Sequence, residues 1–480
     1  MPGARVPAFA MTTTTNAPST GKVRREVIGG KRGAGHAYQE RGERVRRPDA
    51  QRITFAPTEE RLTALSGLVA FGRFVRSAGV DLALRAFDRL KPANRGLVYP
   101  MHAQMRLLLD AYVAGESRVF GLEALAADPI FVRLAGGTVP CLDTVYRDLN
   151  RFDADAITQL EEMVANWGID REALAEHRSV DLDIDTTVTP LFGAHEGGVP
   201  GPNPRFHGRP SYHPIVARIA QTDTCAGVLL RRGDTSFGND DAVTVRRLVR
   251  RAKSALTSKQ ELFVRIDAAA DCTEILSAIA EENATFLVKT RMTSDLVNAI
   301  AATTTWRTVD SDANDEPQTQ VADVEFQRKG WVLRGRLVRV IAVRTKEPRS
   351  GKQRLLWPDE EYTVKAYLTN SDDDALALSR RYEDRAGLET LIAEWKGGWG
   401  IGEHPCWGFD ANHAAMLLKM LAHNLVRRFA AAVVPVLADA RWRIQWLRRA
   451  LIAVAGQLVR SGRRWQLRVP AASPLARLIE

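Results

Sequence analysis

The spacing of apolar residues divides the chain into helical and extended segments. Between residues 58 and 152 apolar residues recur every three or four positions, which predicts helices. Residues 180–188 instead alternate strictly between aspartates and Leu, Ile or Thr, which predicts a strand. Helical spacing returns after residue 374 and continues towards the C-terminus. The chain therefore places an extended centre between two helical regions.

Within that centre, strands and helices alternate. The predicted order is strands at 180–188, 215–221 and 226–231, a helix at 240–255, a strand at 261–266, a helix at 271–281 and a strand at 285–289. Further β segments at 321–331, 336–343 and 362–368 are joined by charged loops and indicate a β-rich insertion. This order predicts an α/β fold in which helices pack against a mixed sheet.

Composition narrows the class of protein. The chain has 480 residues, of which 45% are hydrophobic and 26% are charged, as in soluble globular proteins. Its longest apolar runs fall short of the roughly 18 residues that a membrane span needs, and no hydrophobic leader follows the first basic residues. The four cysteines have no short pairing, which argues against a disulfide framework and a zinc finger. We expect a cytoplasmic protein without membrane association.

The net charge of +10 is concentrated at the two ends of the chain. Residues 1–50 hold ten Lys and Arg against four Asp and Glu, and residues 421–480 hold eleven Arg against two acids. The remaining body is therefore acidic overall. Basic ends on an acidic body favour binding of a polyanion, most simply nucleic acid. The alternative is a solvated surface in which a GC-rich genome codes Arg for Lys.

A short predicted helix near residue 145 carries two arginines. Val139-Pro140 precede Leu142-Asp143-Thr144, and Arg147 and Arg151 follow. A Pro, a capping-type residue and a short basic helix are typical of the second half of a helix-turn-helix, which reads DNA. The alternative is one more core helix with solvated arginines.

Aspartates occur at two places in the predicted sheet, along one strand and directly after another. Asp183 and Asp185 belong to the row of carboxylates on residues 180–188, which is costly to bury unless it binds a cation or faces water. Divalent metals prefer such hard oxygen ligands, but spacing alone does not choose between the two residues. Asp267 lies where a strand ends, a common position for ligand sites, although a helix cap is the simpler interpretation. Asp271 is expected to cap the helix that follows.

A further acid lies on a predicted helix with two cations and a phenol. At about 100° per residue, Tyr382, Arg385, Glu389 and Lys396 share one narrow face. Such a face suits a site that holds metal and phosphate together, with the acid for the metal and the cations for phosphate oxygens. The alternative is an exposed, salt-bridged helix face.

These residues resemble a known family. The spacing Tyr382, Arg385, Glu389, Lys396 is similar to the Y-R-E-K signature of a large branch of DDE transposases from bacterial insertion sequences. Asp185 before Thr186-Thr187 resembles the first catalytic Asp of that branch, and Asp267 resembles the second. Residues 122–152, 182–214 and 382–425 are similar to one family within it, the thirteen-eighty-type insertion-sequence transposases (DDE group one).

The resemblance implies a fold and a mechanism. It implies an RNase H-like core in which Asp185, Asp267 and Glu389 hold two Mg²⁺ or Mn²⁺ ions for phosphodiester hydrolysis and strand transfer. Arg385 and Lys396 would grip phosphates, and Tyr382 would position the strand. An aromatic residue of the insertion, Trp331 or Trp306, would trap a flipped base, with core packing as the alternative for each.

The implied partners are the terminal inverted repeats and target DNA, bound by a homodimer on paired ends in the bacterial nucleoid. The expected divisions are a disordered basic tail (1–54), a helical DNA-binding region (55–155), a first core segment (175–295), a β-rich insertion (296–375), a second core segment (376–430) and a basic helical C-terminal region (431–480). Two alternatives stay open. One is an inactive derivative that binds DNA without cleaving it, because three alanines follow Asp267 where relatives differ. The other is an RNase H-like nuclease without strand transfer.

Overall fold

A computed structural model describes residues 56–91, 96–203, 206–312, 315–346, 362–433, 442–471, 473 and 475–476. The predicted tail, residues 1–54, lies outside the described residues. Residues 62–480 form one compact unit, which contains every helix and strand named below. In the part of the chain that is described, no helix is both long and apolar enough to cross a membrane.

The first part of this unit is helical, as the apolar spacing predicts. Its helices are α1 (Gly67–Ser77), α2 (Val80–Leu84), α3 (Met101–Ala114), α4 (Leu122–Leu125), α5 (Pro129–Leu134), α6 (Leu142–Leu149), α7 (Ala154–Gly168) and α8 (Arg171–Leu174). Side chains of Asp128, Asp153 and Asp170 accept hydrogen bonds from the first backbone N–H groups of α5, α7 and α8. These caps satisfy donors that a helix start leaves unpaired, so the local sequence determines where the three helices begin.

The strands build one large mixed sheet and three small ones. They are β1 (Leu62–Thr63), β2 (Ser179–Thr186), β3 (Thr189–Pro190), β4 (Val199–Pro200), β5 (Pro210–Tyr212), β6 (Ile215–Ile219), β7 (Thr224–Leu229), β8 (Glu261–Ile266), β9 (Thr285–Lys289), β10 (Arg307–Ser311), β11 (Pro317–Val324), β12 (Val332–Leu333), β13 (Arg336–Leu337), β14 (Arg339–Lys346), β15 (Tyr362–Thr369), β16 (Gly456–Ser461) and β17 (Arg464–Arg468). The large sheet has nine strands in the order β10-β11-β14-β15-β9-β8-β2-β6-β7.

Strand directions divide the large sheet at β2. On one side β2, β6 and β7 form an antiparallel meander, and on the other β2, β8 and β9 run parallel. Four strands of the β-rich insertion join the central sheet, because β15 pairs antiparallel with β9, and β14, β11 and β10 follow it outwards. The two short strands β12 and β13 pair only with each other. The insertion thus extends the central sheet, and its strands satisfy the hydrogen-bonding groups that β9 would otherwise leave at an edge.

The remaining helices cover the sheet or pack beside it. They are α9 (Ala242–Ala255), α10 (Thr273–Glu281), α11 (Ser294–Ala302), α12 (Ala375–Glu383), α13 (Ala386–Trp399), α14 (Phe409–Val433) and α15 (Ile444–Leu447). Residues of α9, α10 and α11 share a core with one face of the sheet, and α12 covers Phe263 and Tyr367 on the other face. The helix α14 packs against α7, α3 and β7, and its residues join the core of the N-terminal helices.

The C-terminal region differs from the expected all-helical segment. After α15 the chain forms a hairpin, in which β16 pairs with β17 and also with β1 near the start of the unit. Gly462 has a φ of +60° in the two-residue turn, a conformation that favours glycine. Polar and apolar residues alternate on both sides of Gly462, which is typical of a hairpin. The helical spacing of the preceding residues led to the expectation of a helix here.

Candidate active site

The three aspartates of β2 lie on one face, as their alternation predicts, and each is paired with an arginine. The pairs are Asp181–Arg381 at 2.6 Å, Asp183–Arg265 at 2.6 Å and Asp185–Arg385 at 2.9 Å. Arginine from another part of the chain therefore supplies the cation that a buried row of carboxylates requires.

The structure distinguishes the two candidate aspartates. Asp183 is completely buried, and Arg265 donates to both of its oxygens, at 2.6 and 3.0 Å. Arg265 also donates to the main-chain carbonyl of Arg381 and so ties α12 to the sheet. Asp185 lies two residues further along β2, on the same face, and its side chain is 18% exposed. Asp183 is a structural residue, and Asp185 is the member of the row that a ligand can reach.

Asp185 and Asp267 lie at the ends of neighbouring parallel strands. The last residues at which β2 and β8 pair with each other are Asp183 and Arg265, and Asp185 and Asp267 each come two residues after that pair. Asp185 is near the end of β2, and Asp267 directly follows β8. Neighbouring strands are about 4.8 Å apart, so the two carboxylates share one edge of the sheet. Burial raises the pKa of Asp185, and the charge of Asp267 raises it further, while Arg385 lowers it. Two adjacent acids in this environment favour a bound cation.

Asp267 also has the local role that its position suggests. One of its oxygens accepts a hydrogen bond from Ala269 N at 3.0 Å and caps the short 3-10 turn Ala268–Ala270. Asp271 does not cap α10, which begins at Thr273. Instead the buried Asp271 accepts hydrogen bonds from Thr290 Oγ1, Arg291 N and Arg328 Nη1, at 2.6 to 2.8 Å. The expectation for Asp271 was wrong because three donors from later segments compete for its carboxylate.

The phenol and the two cations of the sequence signature all contact the ends of β2 or β8. Tyr382 Oη donates to Ile266 O at 3.3 Å, immediately before Asp267. Arg385 Nη2 donates to Ile184 O at 3.0 Å in addition to its pair with Asp185. Lys396 Nζ donates to the carbonyl of Val188 at 2.9 Å, three residues after Asp185.

The expected single helix over this signature is instead two helices. Its first part, α12, ends at Glu383, and α13 begins at Ala386. Between them Arg385 N bonds to Tyr382 O and Leu388 N bonds to Arg385 O, both with the three-residue spacing of a 3-10 turn. This tighter winding turns α13 relative to α12, so the four residues do not share the straight face that a continuous helix would give them.

Glu389 is the member of the signature that stands apart. It lies in the first turn of α13 with an exposed side chain. Across the described residues, no three His, Cys, Asp or Glu side chains come close enough together to hold a metal ion. The structure thus brings Asp185, Asp267, Tyr382 and Arg385 to one edge, with Lys396 nearby, and does not add the carboxylate of Glu389 to them.

The family model described as "Transposase DDE domain group 1" matches residues 46–480, nearly the whole chain. The chain belongs to this family. DDE transposases are DNA-cleaving enzymes that generally use divalent metal ions such as Mg²⁺. No curated protein sequence matches the chain. A solved structure that resembles it is a piggyBac transposase in a synaptic complex with hairpin DNA, with 10% sequence identity, a TM-score of 0.44, and coverage of 80% of this chain and 79% of that chain.

The donor groups at this edge of the transposase fit a divalent ion. Two carboxylates supply the hard oxygen ligands that Mg²⁺ and Mn²⁺ prefer. Their mutual repulsion and the partial burial of Asp185 are both offset when a cation binds. The guanidinium of Arg385 contacts Asp185 and so supplies part of the positive charge that a cation would provide.

The aromatic candidates of the insertion are packed inside the transposase. Trp331 is only 2% exposed, and its ring lies edge-on to Phe326 and against the guanidinium of Arg328. Trp306 is partly buried and stacks with Arg344 at 4.2 Å. Trp331 is therefore a core residue, and a base would reach its ring only after the surrounding segment had moved.

The two arginines near α6 have different surroundings. Arg147 is exposed, whereas Arg151 is held by the buried Asp148 at 3.2 Å, which also binds Lys91. Seven residues separate α5 from α6, more than the three or four of a helix-turn-helix turn. The basic surface on α6 thus rests mainly on Arg147.

Sequence reasoning missed a set of polar residues in α14, which we call the polar seam of α14: Asn412, His413, Lys419, His423 and Asn424. All are buried. Asn424 accepts from Cys225 N at 2.8 Å and donates to Cys225 O at 2.9 Å, so it pairs with the edge strand β7 much as another strand would. Lys419 donates to the carbonyls of Gly400 and Glu403 beyond the end of α13. A nearly uniform apolar pattern around these residues was the available signal, because it indicates a helix buried on all sides.

Proposed function

We propose that the chain is a DNA transposase of a bacterial insertion sequence. It binds terminal inverted repeats and catalyses metal-dependent phosphodiester hydrolysis and strand transfer. The observation that carries the proposal is the placement of Asp185 and Asp267 at the ends of adjacent parallel strands, beside Arg385. The strand order β7-β6-β2-β8-β9, with a meander on one side and parallel strands on the other, supports an RNase H-like core.

In this proposal Asp185, Asp267 and Glu389 hold two Mg²⁺ or Mn²⁺ ions. Such ions, when bound, stabilise the attacking and leaving oxygens of an in-line displacement at phosphorus. Glu389 stands apart from the other two carboxylates in this structure, so the proposal requires α13 to shift towards them when DNA and metal bind. Its position four residues after Arg385, which contacts Asp185, supports this assignment. Its exposed position on the first turn of α13 leaves its carboxylate available for this role.

The side chains around the carboxylates bind and orient the DNA strand. Arg385 Nε is buried without a hydrogen-bond partner among the described residues. A movement that exposes this guanidinium when DNA binds would therefore supply a donor for a phosphate oxygen. Lys396 adds a second cation beyond the end of β2, and Tyr382 fixes the position of α12 against β8. Residues 55–155 and the basic ends supply affinity for duplex DNA, and two copies act on paired ends.

The experiment is cleavage of an end-labelled fragment carrying the DNA that flanks this gene, with Mg²⁺ or Mn²⁺ and with chelator. We expect metal-dependent cuts at the element boundary by the wild type and none by Glu389→Gln, while both bind the fragment. The matched control is Glu383→Gln, because Glu383 is an exposed acid at the end of α12 whose partner is Lys365, at 3.5 Å, and not the site.

The outcomes separate the competing interpretations. Binding without cutting by folded wild type supports the inactive derivative. Cutting without joining of the ends to target DNA supports the plain nuclease. Equal cutting by wild type and Glu389→Gln removes Glu389 from the proposed metal site but leaves the transposase standing.

A further inference from the structure

A second cluster of unusual side chains lies on the loop that follows β2. Phe192 is 77% exposed and Phe206 is 45% exposed, although burial of a phenylalanine is normally favourable. The guanidinium of Arg209 lies 4.7 Å from the ring of Phe192 and 5.2 Å from the ring of Phe206. Two exposed rings therefore share one cation on the surface.

The backbone beside these rings is held firmly in place. Glu196 N donates to Trp407 O at 2.9 Å, and a carboxylate oxygen of Glu196 caps α14 through Phe409 N, also at 2.9 Å. Tyr212 Oη donates to Glu196 O at 2.6 Å, and a ring nitrogen of His195 hydrogen-bonds to Cys406 O at 2.7 Å. The segment that follows Phe192 is thus anchored to the start of α14, and Phe206 N donates to Asn203 Oδ1 at 3.0 Å.

We propose that Phe192, Phe206 and Arg209 form a stacking site for unpaired DNA bases. This inference rests on the proposed function, because it identifies where that enzyme holds the strand beside the cut. Aromatic rings and arginine planes are the groups on which unpaired bases stack, and they accept any base because every base has a π face.

The position of the cluster fits a strand that passes the carboxylates. Phe192 follows Asp185 by seven residues, so an extended chain places them at most about 23 Å apart. At about 3.4 Å per nucleotide of one strand, a phosphate at Asp185 and a base at Phe192 are within roughly seven nucleotides. The cluster therefore lies within reach of DNA next to the cleaved bond.

The charge of the loop also favours DNA. Glu196 is the one acidic residue in the sequence from 186 to 213, and its carboxylate caps α14. Arg209 contributes a positive charge between the rings, where it attracts a nearby phosphate. A protein partner at the same surface would need only apolar side chains to bury, and the flat faces of the two rings would not matter.

The test uses the full chain without divalent metal and a short mixed-sequence single strand containing 2-aminopurine, whose fluorescence falls when the base stacks. The same sequence as a fully paired duplex is the second probe. The informative variants carry either Leu or Tyr at both phenylalanines, because Phe192→Leu and Phe206→Leu keep apolar volume and lose the ring, whereas Phe192→Tyr and Phe206→Tyr keep the ring.

The control is Val243→Ala. Val243 is 78% exposed on α9, outside the regions proposed to bind DNA. We expect the Leu pair to weaken single-strand binding about tenfold or more and to abolish the quenching, with duplex binding nearly unchanged. The Tyr pair and Val243→Ala should keep the wild-type ratio of single-strand to duplex affinity.

Two results would overturn the inference without touching the proposed function. In one, the Leu pair retains the quenching and the affinity ratio of the wild type, while the wild type still cleaves its own ends. In the other, the Leu pair changes only the oligomeric state measured by light scattering, which assigns the rings to a protein interface. Failure of the wild type to bind either probe would contradict both proposals.

Discussion

Two buried polar regions of this chain are built on opposite principles. The first, which we call the carboxylate edge, consists of Asp185, Asp267, Tyr382 and Arg385 at the ends of β2 and β8. The second is the polar seam of α14. In the seam, Asn424 forms three hydrogen bonds to Cys225 and Val164, and burial lowers the pKa of His423 to about 3, so its ring is neutral. At the edge, two like charges adjoin one arginine, and burial raises the pKa of Asp185.

The surroundings of a polar cluster, and not its residue types, separate a structural role from a reactive one. Buried side chains whose donors and acceptors are paired within the fold stabilise it and leave little for a ligand. Charged side chains that are partly exposed and only partly neutralised carry an unfavourable electrostatic free energy. A bound cation or phosphate offsets this free energy. Both regions lie in stretches that resemble DDE transposases, and the surroundings in the fold separate catalysis from architecture.

The largest effect is expected for Asp267→Asn, which should remove activity without changing stability. Asparagine still caps the turn Ala268–Ala270, so we expect an unchanged midpoint of thermal unfolding. Loss of one carboxylate should reduce cleavage by more than the 10- to 100-fold typical of a residue that only orients a metal ligand. Cleavage of labelled ends and a melting curve on the same preparation measure both quantities. Full activity in Asp267→Asn would place the metal elsewhere.

The converse change is Asn424→Ala. It leaves the buried N–H and C=O of Cys225 without their partner, which should lower the free energy of unfolding by about 3 kcal/mol. Cleavage per folded molecule should not change. Urea unfolding measures the effect, and Asn298→Ala on the exposed side of α11 is the control, expected within about 0.5 kcal/mol of wild type. A loss of activity larger than the loss of folded protein would contradict the structural role.

The two regions should also respond oppositely to acid. Burial lowers the pKa of His423 to about 3 and that of His413 to about 4. The unfolded chain binds protons at these rings below about pH 6.5 and the folded chain does not, so stability falls as the pH drops from about 6.5 towards 4. Each ring contributes up to about 1.4 kcal/mol per pH unit. Asp185 has the opposite sign, since its raised pKa makes the folded state bind its proton first.

Urea midpoints across this pH range measure the balance, and we expect the loss from the two histidines to dominate. The exposed His207 provides the control, because His207→Asn should leave the slope unchanged. Stability that is flat between about pH 6.5 and 5 would mean that the seam admits protons or water, and the contrast with the carboxylate edge would disappear.

The smallest effect concerns the two arginines near α6, where the same division applies. Arg147→Ala should weaken duplex binding at every sequence and reduce the salt slope of log K by about one, because an exposed Arg releases its counterion on binding phosphate. Arg151→Ala should change the slope less, since Asp148 already neutralises this side chain. Titration of duplex DNA at several salt concentrations compares the variants. Equal slopes for both would show that the ion pair opens when DNA binds.

Much of the local structure follows from the sequence. The strands β8 and β9 have the bounds that the apolar pattern predicts, and the alternation in β2 correctly places its three aspartates on one face. These features depend on neighbours within a few residues, where periodicity and end-capping decide the conformation. The family resemblance identifies Asp185 and Asp267 as the residues of interest, and the fold places them at one edge.

Which charges are available to a ligand depends on contacts between segments that are far apart in the sequence. Asp183 and Asp185 look equivalent in the sequence, and they differ because Arg265, 82 residues away, occupies the first. Arg381 satisfies Asp181 across 200 residues. The burial of Trp331, the merging of the insertion with the central sheet and the turn between α12 and α13 depend likewise on distant packing. Local patterns determine which face of a strand carries charge, whereas the desolvation and pairing of each charge depend on segments that meet only after folding.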